Sequence, residues 1–238
     1  MVRTLLLLSL AIPAALHAFQ PGRYHPMDSY VTAGSPGGPA SMVAKDAKGQ
    51  TLETVQFTYD GSGKLIRESF VDSKGQPAGK AEYKRNGDQL TEELRFDRTG
   101  TLLSRTVFKY KDKDLIAMEV YNSQNALELR RTYTIQGGRI TGGDEISDGV
   151  TDHFVMKYND VARLLEALVF VQQDGHPFGH IAYRYDAQKR ITERERVQVD
   201  KRELCRYEYD GAGRIIRFSY FVMQGDWRLQ KTLTFTYP

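Results

Sequence analysis

The sequence predicts an all-β protein: an antiparallel meander of repeated β-hairpins forming a single curled sheet, rolled or closed on itself. Three observations carry this. Short runs alternate apolar and polar residues, as where Val55, Phe57 and Tyr59 alternate with Gln56 and Thr58, the period of a strand. Clusters of Asp, Asn and Gly punctuate those runs, as in Asp60-Gly-Ser-Gly63 and Asp72-Ser-Lys-Gly75, and such residues turn a chain because Gly takes positive φ freely and Asp bonds its own backbone. A tyrosine-anchored unit of 24–28 residues, with one shorter interval of 23, recurs down the chain.

Taken in order, residues 1–18 read as a secretory signal peptide. Arg3 gives the positive charge, Leu5 to Ala15 is apolar but for Ser9 and Pro13, and Leu16-His-Ala18 places a small residue before the cut. The run is too short for a membrane helix. Residues 19–50, with Gly34-Ser-Pro-Gly-Gly-Pro39, read as a Gly/Pro-rich lead-in or a degenerate first repeat. Residues 51–238 read as the hairpin-repeat domain.

Within it the anchors are Tyr59, Tyr83, Tyr110, Tyr133, Tyr158, Tyr185, Tyr209 and Tyr237. Two positions earlier stand Phe57, Ala81, Phe108, Arg131, Met156, Tyr183, Tyr207 and Phe235, so a large apolar stripe shares the anchor's face in all copies but two. Six positions after the anchor stand Leu65, Ile116, Leu164, Ile191 and Ile215, with Leu90 and Ile140 shifted by one. A lone hairpin cannot bury its apolar face, so neighbours must stack. Strand twist then curls a sheet of about sixteen strands.

Tyr59-Asp-Gly-Ser-Gly-Lys-Leu65 and Tyr209-Asp-Gly-Ala-Gly-Arg-Ile215 resemble the YD repeats of the RHS family. The resemblance covers roughly residues 52 to 237 as a short array without a toxin domain. It implies hairpins running on into a curling antiparallel sheet, display at a cell surface, and sugar binding.

Composition narrows the function. Net charge is +3 and falls to +2 when residues 1–18, with one Arg and no acid, are removed. Both signs interleave, so no field is built for nucleic acid. The single cysteine, Cys205, cannot form an internal disulfide and reads as a buried strand thiol. Catalytic motifs for hydrolysis, phosphate binding and dinucleotide binding are absent from the sequence. Glu92 with Glu93, and Glu193 with Glu195, are the carboxylates a hydrolase would use. Glu68, Glu92 and Glu119 each follow an anchor by nine residues, which reads as architecture rather than catalysis.

Two binding candidates stand out. Asp144, Glu145, Asp148 and Asp152 form an acidic stretch with oxygen ligands suited to Ca²⁺, and Trp227, outside the repeat pattern, is a candidate exposed contact. His176 and His180 flank a Pro- and Gly-containing turn and read as solvated. The expected protein is therefore an exported, non-catalytic bacterial binding or scaffold module with no cofactor. Its partner would be an envelope or extracellular protein or glycan, and its location periplasmic, cell-surface or secreted. The alternatives are a carboxylate hydrolase and a closed β-barrel in the outer membrane. Against the membrane barrel, Arg67 and Glu68 place charge on opposite faces of one strand, whereas a lipid-facing wall is apolar in every strand.

Overall fold

The computed structural model describes residues 38–159, 161 and 164–238; the signal peptide expected at 1–18 lies outside them. The described residues form sixteen antiparallel strands. These are β1 (Ser41–Asp46), β2 (Thr51–Tyr59), β3 (Leu65–Asp72), β4 (Pro77–Asn86), β5 (Gln89–Asp97), β6 (Leu102–Lys111), β7 (Asp114–Asn122) and β8 (Leu127–Gln136). They continue as β9 (Arg139–Ser147), β10 (Val150–Tyr158), β11 (Leu165–Val171), β12 (Pro177–Tyr185), β13 (Ile191–Gln198), β14 (Lys201–Tyr209), β15 (Ile215–Gln224) and β16 (Asp226–Thr236). Each strand pairs with its neighbours in sequence, and β1 pairs with β16 from Ser41–Thr236 to Asp46–Lys231, so the meander closes into a barrel. Closure leaves no free sheet edge. The stretch read as a lead-in thus supplies the strand at the seam.

Most turns follow one design. Asp46, Asp60, Asp72, Asp97, Asn122, Asp186 and Asp210 each accept, at one side-chain oxygen, the N–H groups two and four residues on, at 2.8–3.0 Å. The fourth turn residue then takes positive φ, which is why it is Gly at 49, 63, 75, 100 and 213. This design serves both ends of the barrel. Elsewhere the turn shrinks to two residues, as at Gly137-Gly138 and Asp148-Gly149, where both take positive φ.

Cross-strand pairing corrects the sequence register. The residues facing the Leu or Ile that opens the next strand are Tyr59, Arg85, Tyr110, Ile135, Tyr158, Tyr185 and Tyr209. Tyr83 and Tyr133 are not anchors but members of the inner stripe two residues away. The rim positions of those two strands are occupied instead by Arg85 and Ile135. The stripe therefore reads Phe57, Tyr83, Phe108, Tyr133, Met156, Tyr183, Tyr207 and Phe235, with no exceptions. Ala81 and Arg131 belong one level deeper.

The recurrent rim tyrosine has a backbone reason. The ladders between β9 and β10, β11 and β12, β13 and β14, and β15 and β16 stop two residues short of Ile140, Leu165, Ile191 and Ile215. Tyr158, Tyr185, Tyr209 and Tyr237 donate their hydroxyls to those four carbonyls at 2.7–2.9 Å. Tyr59 does the same to Pro39 at 2.8 Å, tying down the seam. A net hydrogen bond of this kind contributes about 1 kcal/mol. Tyr209→Phe is expected to lower unfolding free energy by about that amount in urea titration.

Alternation places the core inside. Met42, Val55, Leu168 and Leu233 are fully buried, and Phe70, Phe154 and Phe218 nearly so. A circular barrel of sixteen strands would enclose a channel, so burial this complete requires opposing walls to approach until their side chains fill the interior. The interior also takes charge: Glu53, Glu68, Glu93, Arg95 and Glu145 are buried there. Arg95 lies 3.3 Å from Glu93 and over the Phe70 ring, and the Tyr83 hydroxyl donates to Glu68 at 2.8 Å.

The nine-residue periodicity of Glu68, Glu92 and Glu119 does not survive as one position. Glu68 faces inward beside Phe57 and Ala81, whereas Glu92 and Glu119 face outward beside Val107. The turn before Glu68 is longer than the two-residue turns before Glu92 and Glu119, and one residue more or less exchanges the faces. A bulge similarly separates Leu65 from Arg67, so Leu65 pairs with inward Tyr59 while Arg67 points out.

Candidate functional site

The outer wall carries paired charges at mid-strand. Glu92 meets Lys84 at 2.7 Å and Arg105 at 2.6 Å, and Glu193 meets Arg184 at 2.6 Å and Arg206 at 3.0 Å. Glu119, although outward, is only 2 % exposed. Lys109 at 2.8 Å, Arg130 at 2.6 Å and the Tyr121 hydroxyl at 2.7 Å close over it. Those donors, Lys109 first and Tyr121 next, hold its carboxyl down at about 2.

A depressed carboxylate stabilises the fold fully above its unfolded value near 4.5, and that contribution disappears as pH falls towards about 2. Glu119→Gln is expected to cost about 2 kcal/mol at pH 6, because it leaves the cations without their acceptor. Denaturant titrations of both proteins should show the difference shrinking by pH 2.5.

The acidic stretch is divided by alternation. Asp144 faces out, 2.6 Å from His153 Nδ1 and 3.4 Å from the Thr132 hydroxyl. Glu145 faces in and pairs with Arg131. Asp148 sits in the two-residue turn at φ 50. Asp152 faces in, directly opposite Glu145, and burial followed by the Glu145 charge raises its carboxyl. The four are not brought together, and no group of three or more potential ligands converges among the described residues.

The carboxylates considered for hydrolysis are held by cations. Glu93 contacts Arg95, Glu195 contacts Arg202, and Glu92 and Glu193 are paired as above. His176 lies in a turn 3.1 Å from Asp174, and His180 points outward between Val169 and Val197. Cys205 is buried inside, 3.7 Å from Arg194 Nη2.

Trp227 faces outward on β16, opposite Met223 on β15. Arg202 lies over its ring at 5.6 Å, and Arg206 lies over Phe221 at 5.3 Å. Phe221 stands between Leu204 and Leu229 on the flanking strands. The result is an aromatic strip across β14–β16, capped by two guanidinium groups whose charge Glu195 and Glu193 balance. Sequence reasoning found Trp227 and missed Phe221, Arg202 and Arg206. Their only signal is cross-strand register, which a bulge at Tyr220/Phe221 shifts.

No protein-family model matches the chain, and no curated protein matches it. Among solved structures the chain is similar to a porin-like protein from Bacteroides uniformis, at 14% identity and a TM-score of 0.40, covering 84% of this chain and 96% of that one. A porin-like protein from Bacteroides vulgatus gives 12% identity and 0.33, covering 84% and 98%. The Photorhabdus luminescens Tc holotoxin pore gives 12% and 0.19, covering 78% of this chain and 15% of that one. Likeness at this level assigns no function.

Proposed function

We propose that the protein is an exported, non-catalytic binding module acting at the cell envelope or outside the cell, with its outer wall in water and a protein or glycan as partner. The observation that supports this most is the outer wall. Ion pairs at mid-strand on β4–β6, β6–β8 and β12–β14 leave no continuous apolar band of the kind lipid requires. With the interior filled, recognition falls to the outside and the rims, and the strip around Trp227 gathers half-buried aromatic surface there.

Trp227 is the single tryptophan, so its fluorescence reports on that strip alone. Titration with envelope polysaccharides and envelope proteins is expected to give a saturable change that Phe221→Ala and Arg202→Ala abolish. A partner that binds with no change at Trp227, and equally in both variants, would place recognition elsewhere.

A second reading, an outer-membrane barrel, is favoured by one observation: an even-numbered meander closed on itself, as outer-membrane barrels are. It differs in requiring lipid or detergent for solubility.

A further inference from the structure

The rim bearing the tyrosines has a second tie between hairpins. The residue before the Leu or Ile that opens a strand reaches over to the next hairpin. Arg139 lies over the Tyr158 ring at 5.5 Å, Arg190 over Tyr209 at 4.6 Å and Arg214 over Tyr237 at 4.5 Å. Lys64 meets Asp88 at 2.7 Å and donates to the Gly87 carbonyl at 3.0 Å, and Gln89 donates to the Asp112 carbonyl at 2.5 Å. At β11 the equivalent residue is Leu164, which is half-buried.

Between β7 and β8 both halves of this tie are changed. Asp114 stands where five of the six others carry Arg, Lys or Gln, and the rim residue of β8 is Ile135, which has neither ring nor hydroxyl. The Leu115 carbonyl, equivalent to those of Ile140, Leu165, Ile191 and Ile215, therefore receives no tyrosine. An open recess of about 300 Å³ lies at this place, lined by Lys111, Asp112, Asp114, Ile116, Tyr133 and Ile135. Ile116 is 38% exposed at this end, while Tyr133 is only 8% exposed.

We propose that this recess binds a small hydroxyaromatic amine. The ring of the ligand lies between Ile116 and Ile135 against the edge of Tyr133, in the place of the missing rim tyrosine. Its hydroxyl donates to the Leu115 carbonyl, as the rim tyrosines do to theirs. Its ammonium supplies the cation that Lys64, Arg139, Arg190 and Arg214 provide in four of the other hairpins, and Asp114 with Asp112 accepts it. Lys111 repels the ammonium from the remaining side and so fixes the orientation. Apolar side chains with a few placed polar groups are the ordinary composition of a small-molecule site. The recess lies on β6–β8, away from Trp227, and stands independently of the binding role proposed for the outer wall.

The test is calorimetric titration of the purified protein with tyramine and, separately, with 3-(4-hydroxyphenyl)propionate, which carries a carboxylate in place of the ammonium. Saturable tyramine binding with weak or absent propionate binding is expected. The double variant Asp114→Arg/Ile135→Tyr rebuilds the neighbours' tie inside the recess and should lose tyramine binding while melting at higher temperature. Asp114→Asn, which keeps the shape, should bind tyramine several-fold more weakly and serves if the double variant does not fold. Failure of tyramine to saturate the folded protein, equal binding of the propionate, or unchanged binding by Asp114→Asn would overturn the proposal.

Discussion

Leu168→Ala is expected to cost about 3 kcal/mol of unfolding free energy, the range for truncating a buried leucine whose site cannot collapse. Leu168 faces inward from β11 between Met156 and Ile181 and is fully buried. The size of the loss matters as much as its sign. Were the sixteen strands a round, water-filled tube, this side chain would be wet on one side and its truncation would cost about 1 kcal/mol or less, as for partly exposed positions. Urea titration of the variant, with Leu233→Ala as a second probe on β16, separates a filled interior from a channel.

The second large effect is expected at Gly143. A Cβ there would lie 1.9 Å from the Thr132 carbonyl oxygen and 2.7 Å from Phe154 Cζ. The ring contact can relax, since an aromatic side chain can shift, but the carbonyl belongs to the adjoining strand β8. Gly143→Ala must therefore part β8 from β9 locally. The expected loss is about 3 kcal/mol or more, the scale of overpacking in a tight core. Phe154 is seated over Gly143 and meets Tyr133 edge-on at 6.1 Å between centroids, so Gly143→Ala also disturbs an inner aromatic pair. Phe154→Leu in the same background should recover little stability, because the obstruction from Thr132 remains. Recovery to near wild type would show that the ring, not the strand spacing, decides this position.

Much of the fold was legible because strand alternation and Asp/Gly turn chemistry are local. The hairpin meander, the inner stripe and the buried thiol follow from residues within a few positions of one another. Closure was left open in the sequence, because it depends on Ser41–Asp46 meeting Lys231–Thr236 across the whole length of the chain. Register was misread at Tyr83 and Tyr133, where a tyrosine stands in the inner stripe and the rim residue is Arg85 or Ile135. Only cross-strand pairing tells these apart, since Tyr110 precedes the same two-residue turn and does stand at the rim. Turn length separates Glu119 from Glu68, because a shorter turn follows Tyr110 than follows Tyr59, so that one covers the outside and the other lies within.

The candidate sites were less legible still. Alternation divides Asp144 from Glu145, which a contiguous acidic stretch conceals. Trp227 was visible as a residue outside the pattern. Its companions on β14 and β15 lie 25 and 6 residues away in sequence at Arg202 and Phe221, and only cross-strand geometry joins them. The rim recess was invisible, since it arises from two substitutions in a tie that becomes recognisable only when Arg139, Arg190 and Arg214 are seen over the next tyrosine.

The central claim is a closed barrel with a filled interior and a water-facing outer wall. Its most direct test is the behaviour of residues 19–238, purified without detergent and examined by size exclusion, far-UV circular dichroism and flotation with lipid vesicles. The account predicts a β-rich species that elutes at its own mass and stays in the aqueous fraction. A chain that folds only in detergent and floats with the vesicles would contradict it and place the outer wall in lipid.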